Sequence, residues 1–162
     1  MLRVSDLTYP EVGATAGELP AGYRHLRKVR DLGAGRPVFE AASRALLTWQ
    51  MHERAGVRLV SGPARAVEGA DVSFRWWGIP IECRVVDVVD EPDRQGFAYG
   101  TLARHPERGE ERFVVSIDPE TGSVLATITA FSRPSGPLAR LAGPAGRFAQ
   151  DRMTQRYLDS LS

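Results

Sequence analysis

Three residues in this chain have the type and surroundings to move or orient a proton: His52, His105 and Glu111. An imidazole titrates near neutrality. A carboxyl beside apolar neighbours is pushed upward until it can hold or release a proton under ordinary conditions. Strand alternation puts Glu111 on the same face as Phe113, so if Phe113 turns inward, Glu111 does too and Glu110 turns outward. Adjacent glutamates on a strand therefore do not form an acid/base pair. Each candidate also has a plainer role. His52, three residues after Trp49, suits a hydrogen-bonded histidine at a helix edge. His105 and Glu111 could hold the turn between them by bonding to each other.

Other constellations are excluded. The three histidines (His25, His52, His105) have no second His or Cys at metal-ligand spacing, and neither His-Glu-x-x-His nor Gly-x-Ser-x-Gly occurs. No metal and no cofactor is expected. Gly33-Ala34-Gly35 precedes a helix as a dinucleotide-binding turn would, but Val38 stands where the next glycine is required. A strand-to-helix turn is the better account, with a weak anion site beside Arg36 as the alternative. Arg133, Arg140, Arg147, Arg152 and Arg156 run along the C-terminal region. Asp151 and Asp159 interrupt them and no aromatic set stands beside them, so they read as a solvated face and no nucleic acid is expected. Trp76 and Trp77 must point to opposite faces of one strand. Trp76 falls in with Val72 and Phe74. Trp77 is either covered by the N-terminal segment through Tyr9 and Pro10 or left exposed as a partner site.

The elements that position these residues follow from periodicity. Residues 1–22 form an extended arm that Leu7, Tyr9 and Val12 can anchor. A first strand spans 23–32. A helix from Pro37 to Ala55 carries the stripe Phe39, Ala42, Leu46 and Trp49, and Gly56 stops it. From residue 57 the period is two, giving strands over 57–60, 71–77, 81–90, 97–103, 111–118 and 123–132. The inward face of 81–90 cannot be read, because both faces are mixed. Gly143 and Pro144 open a C-terminal helix of roughly 27 Å, with Ala145, Phe148, Ala149, Met153, Tyr157 and Leu161 on one stripe. Short connections make antiparallel neighbours, and the long helix is the element able to cover the sheet. The fold class is α+β: a curved antiparallel sheet of six to seven strands around a long C-terminal helix, in a single domain over 1–162.

The 162 residues are 43% hydrophobic and 25% charged, with a formal charge of +1, which excludes an acidic tail, a polycation and a disordered linker. A chain of this length buries roughly two-thirds of its unfolded surface. Cys83 is the only cysteine, so no intrachain disulfide forms. Lys28 is the only lysine among 21 basic residues, a bias that fits a codon-skewed genome. No apolar run is long enough for a signal peptide or a membrane span, so a cytoplasmic location without stable membrane insertion is expected.

Several strings carry a resemblance: Leu7-Thr-Tyr-Pro-Glu-Val-Gly-Ala-Thr15, Trp49-Gln-Met-His52, Tyr99-Gly-Thr-Leu102, His105-Pro-Glu-Arg-Gly-Glu-Glu-Arg-Phe113 and Ala130-Phe-Ser-Arg-Pro134. Together they resemble the bacterial and plant family catalogued as domain of unknown function 1990, over about residues 7 to 161. The element order also resembles the helix-grip fold of the START-like lipid-transfer domains and the birch-pollen-allergen superfamily. The resemblance implies a fold rather than an activity.

A curved sheet around one helix leaves a gap, and that gap is where a ligand would sit. The expected function is binding of a small, largely apolar molecule. Its walls would be Trp76, Tyr99, Phe113 and Phe131 from the sheet and Phe148, Met153 and Tyr157 from the helix. Trp49 and His52 would guard one end, and Thr101 and Glu111 would orient the ligand. The first alternative is an enzyme on the same scaffold, using His52, His105 or Glu111 for proton transfer. The second is a partner-binding module with a filled core.

Overall fold

Period-two patterning dominates the middle of the chain and becomes a seven-stranded sheet. In a computed structural model describing residues 6–162, the strands are β1 (Arg24–Ala34), β2 (Arg58–Ser61), β3 (Asp71–Trp76), β4 (Ile79–Glu91), β5 (Arg94–Thr101), β6 (Glu107–Ile117) and β7 (Ser123–Pro134). Their order is β1-β7-β6-β5-β4-β3-β2, and every pairing is antiparallel. Register shifts at Asp31/Gly33, Leu59/Ser61 and Val85/Asp87 bend the strands. The Gly33–Gly35 segment thus serves as a bulge and a turn into the first helix. Arg36 is engaged by Asp93 at 2.8 Å rather than held out for an anion. The loop expected over 91–96 is a tight hairpin, because Gln95 and Gly96 pair with Asp90 and Val89.

The helix expected over 37–55 is two helices, α1 (Arg36–Leu47) and α2 (Gln50–Arg54). Trp49 stands between them in a left-handed conformation, φ 67. An aromatic residue there is strained. The strain is offset by burial, because the break drops the indole wholly into the core against Phe74 and Phe97. Its Nε1 donates to the Pro63 carbonyl at 2.8 Å. Phe39, Leu46, Phe97, Phe113 and Ile128 complete this core under α1 and α2.

The C-terminal helix α3 (Pro137–Leu161) begins six residues before the expected Gly143 start, and Gly143 kinks it at φ 41, ψ -119. Two ion pairs tie α3 to the edge strand β1, Arg24–Asp151 at 2.8 Å and Arg30–Asp159 at 2.6 Å. Both are open to solvent and screened, so they orient the helix more than they stabilise it. Gln150 adds a bond to Ser132 on β7 at 2.8 Å.

The arm lies on the sheet's outer face, and its first five residues fall outside the described ones. Tyr9 is buried, while Leu7 and Val12 are half-buried. Tyr9 does not cover Trp77, which is 84% exposed. It packs instead on Phe131 and over Gly100, where a Cβ would collide with its hydroxyl. Among the described residues no helix is long and apolar enough to cross a membrane.

A cavity between the sheet and the C-terminal helix

The sheet curls away from α3, and the space between them is a cavity of about 350 Å³. Small residues on α3 make room for it: Ala139, Ala142, Gly146 and Ala149 face the sheet where bulky side chains would have filled the gap. Trp76, Ile79 and Ile81 form one wall, and His105, Pro106 and Glu107 stand at the β5–β6 turn. Tyr99, Thr101, Glu111 and Ala130 come from the sheet's inner face, while Met153, Thr154 and Tyr157 come from the helix.

Parity sets which side chains arrive. Tyr99 pairs with Glu111, and Glu111 with Ala130, so these three share the inner face. Gly100 pairs with Glu110, and Glu110 with Phe131, so these share the outer one. Glu110 is buried there beneath the arm. It accepts from the Tyr9 hydroxyl at 2.6 Å, from the Gly13 amide at 2.8 Å and from the Thr15 amide and hydroxyl. Two further links hold the arm. Arg84, itself buried, bonds Asp71 at 2.5 Å and Asp6 at 3.2 Å, and Arg112 bonds Thr15 and Asp87. The Thr8 hydroxyl shares a 2.6 Å bond with that of Thr101, which also accepts from the Gly109 amide. The arm thereby reaches a residue of the cavity wall.

Glu111 is half-buried, and no hydrogen bond to its carboxylate is found among the described residues. Desolvation pushes its carboxyl up to about 7. Tyr99 and Tyr157 stand near it, and burial raises both phenols well above their ordinary value. Behind Tyr99 lies His52, fully buried and stacked on Phe74 at 4.5 Å, sharing a 3.0 Å hydrogen bond with the Tyr99 hydroxyl. Burial lowers its imidazole to about 3, so the ring is neutral. Its Nδ1 has no partner among the described residues. A buried lone pair without a partner is tolerated better than a buried N–H without one, which puts the proton on Nε2, donated to Tyr99. Tyr157 stands beside Tyr99. His105 accepts the Glu107 amide through Nδ1 at 2.9 Å, and burial lowers it to about 4.

Trp76, Tyr99, Thr101, Glu111, Met153 and Tyr157 thus come together around the cavity, with His105 at the turn. Four candidates stand elsewhere. Trp49 and Phe113 are core residues, and His52 lies one layer behind Tyr99. Phe148 is 65% exposed on the far side of α3, beside Arg152. Phe131 borders the cavity, but its ring packs edge-on against Tyr9 and Tyr23 on the outer face. Among the described residues no hydrogen bond joins His105 to Glu111; the turn is held instead by the Glu107 amide donating to His105 Nδ1. Ile79, Ile81, Gly146, Gln150 and Thr154 line the cavity without having been singled out. Ile79 and Ile81 continue the Trp76 face across the β3–β4 hairpin, where Trp76 pairs with Ile79, and that pairing was the available signal.

A curved antiparallel sheet gripping a C-terminal helix, with two short helices after the first strand, is the helix-grip fold. A major latex-like protein from Panax ginseng shares it, with a TM-score of 0.52 at 14% identity over 86% of this chain and 98% of that one. A hypothetical protein of Helicobacter pylori aligns at a TM-score of 0.65 and 13% identity, covering 99% of this chain and 96% of its own. The chain belongs to the family described as "Domain of unknown function (DUF1990)", whose pattern matches residues 8–160. A UPF0548 protein of Deinococcus radiodurans is 35% identical over 165 residues, covering 93% of this chain and 83% of that protein.

Proposed function

We propose that this protein binds a small, largely apolar molecule in the cavity between the sheet and α3. One observation carries the reading: about 350 Å³ stays unfilled by the chain's own side chains, inside a mostly apolar wall. Interiors ordinarily close-pack, and empty apolar volume lowers stability. A ligand-sized void walled by Trp76, Ile81, Tyr99, Met153 and Tyr157 fits the size range of small-molecule sites. Burying one aromatic group of a ligand there supplies about 2–3 kcal/mol.

Native mass spectrometry of the purified protein tests this. The expected result is a retained organic adduct, or uptake of a neutral apolar probe such as 4-phenylbutanol. A protein that carries no adduct and takes up no neutral apolar probe overturns the reading.

A second reading rests on Glu111. A carboxyl held near 7 in a cavity wall suits proton transfer on a bound molecule. Glu111→Gln separates the two roles: it abolishes turnover of the retained ligand while sparing affinity if the carboxyl is catalytic. His52 has no place in that chemistry as a direct donor, since Tyr99 stands between it and the cavity.

A further inference from the structure

We infer that the ligand carries a basic nitrogen: it is an apolar amine whose ammonium pairs with Glu111. The inference rests on the cavity reading above and names the chemistry of its occupant.

Most of the polar groups that face the cavity already have partners. The Thr101 hydroxyl is held by Thr8 and the Gly109 amide. Gln150 is held by Ser132 and Arg24. The Thr154 hydroxyl donates to the Gln150 carbonyl. Tyr99 is held by His52. Two groups are left without a partner among the described residues: the Trp76 indole N–H, a donor, and the Glu111 carboxylate, the one charged acceptor, with Tyr157 next to it. No lysine or arginine lines the cavity among the described residues. A carboxylate in a largely apolar wall is satisfied only by donors, and a ligand that displaces water from it has to bring them. An ammonium supplies both the hydrogen bonds and the charge. A carboxylate ligand would find no cation and would be repelled.

The groups facing Glu111 from its neighbours fit this account. Cys83 on β4 and the phenols of Tyr99 and Tyr157 are held in their neutral forms by burial. His105 at the turn is neutral. Glu107 is also pushed up by burial, and Arg24 partly offsets that. None supplies a positive charge to Glu111.

The test is a matched series of three probes sharing one apolar part: 4-phenylbutylamine, 4-phenylbutanol and 4-phenylbutyrate, titrated by calorimetry at pH 8. The amine should bind about tenfold or more tighter than the carboxylate, with the alcohol between them. In Glu111→Gln the amine's advantage over the alcohol should shrink to within about twofold, with alcohol affinity retained. In the unmodified protein, amine affinity should rise about tenfold from pH 6 to pH 8 while that of the alcohol stays flat, because pairing displaces the Glu111 proton. This second measurement stands if the variant fails to fold. Carboxylate binding equal to that of the amine, an amine advantage that survives Glu111→Gln, or a flat amine profile overturns the inference. Failure of all three probes, the alcohol included, overturns the cavity reading itself.

Discussion

Glu111 bears on stability as well as on recognition. In the empty protein its carboxyl is raised to about 7 from an ordinary 4.5, so the folded state binds its proton more tightly than the unfolded chain does. Its contribution is fully favourable below the unfolded value and is lost as pH rises through about 7. His52 and His105 act in the opposite sense. Their folded values of about 3 and about 4 lie below 6.5, so stability is lost as pH falls below 6.5. Glu111→Gln should therefore raise stability at pH 8 by an amount on the order of 2 kcal/mol, seen as a higher thermal midpoint, and leave the midpoint nearly unchanged at pH 4.5. Calorimetric melts at the two pH values check this. An equal shift at both would mean that the charge is not the cause.

At the scale of elements, the arm and the sheet are joined through buried charge. Glu110 takes four bonds from arm residues, and losing one donor to a buried carboxylate costs about 1–3 kcal/mol. Tyr9→Phe should cost that much. Gly100→Ala should cost a similar amount by overpacking, because the Tyr9 hydroxyl occupies the place of the new methyl. Both should speed proteolytic cleavage within residues 6–22, and unchanged cleavage in both would mean that the arm is held elsewhere. Some of this arrangement was legible in the sequence. The parity of Glu110, Glu111 and Phe113 followed from alternation, and the need for a covering helix followed from the sheet's apolar face. Phe131 was harder to place because β7 is apolar on both faces: Ala126, Ile128 and Ala130 point in, while Phe131 borders the cavity with its ring packed against Tyr9 and Tyr23. Trp49 misled because a left-handed break at a tryptophan has no sequence signature. On α3 the apolar stripe pointed to Phe148, yet Ala142, Gly146, Ala149 and Thr154 face the cavity. Hydrophobic patterning finds where side chains fill space, and a binding cavity is where they do not.

For the whole molecule, the same void sets stability against function. Ala149→Phe, placed in the cavity wall, should fill part of the space, raise the thermal midpoint of the empty protein by about 2–4 °C and abolish uptake of 4-phenylbutanol. Melting curves and probe titration on one preparation check both effects. A variant that binds as before would show that the ligand sits elsewhere.

The neighbouring of β1 and β7, which join Arg24 to Ser132 and Ala34 to Ser123, bears on how the chain comes into being. During synthesis the opening strand leaves the ribosome long before its partner exists, and distant pairings of this kind form slowly. In that interval an unprotected ribbon edge could zip onto another nascent chain. Arg24, Arg27, Lys28 and Arg30 crowd that ribbon with like charge, which disfavours its pairing with a second copy both before β7 arrives and afterwards, when β1 is still an edge of the sheet.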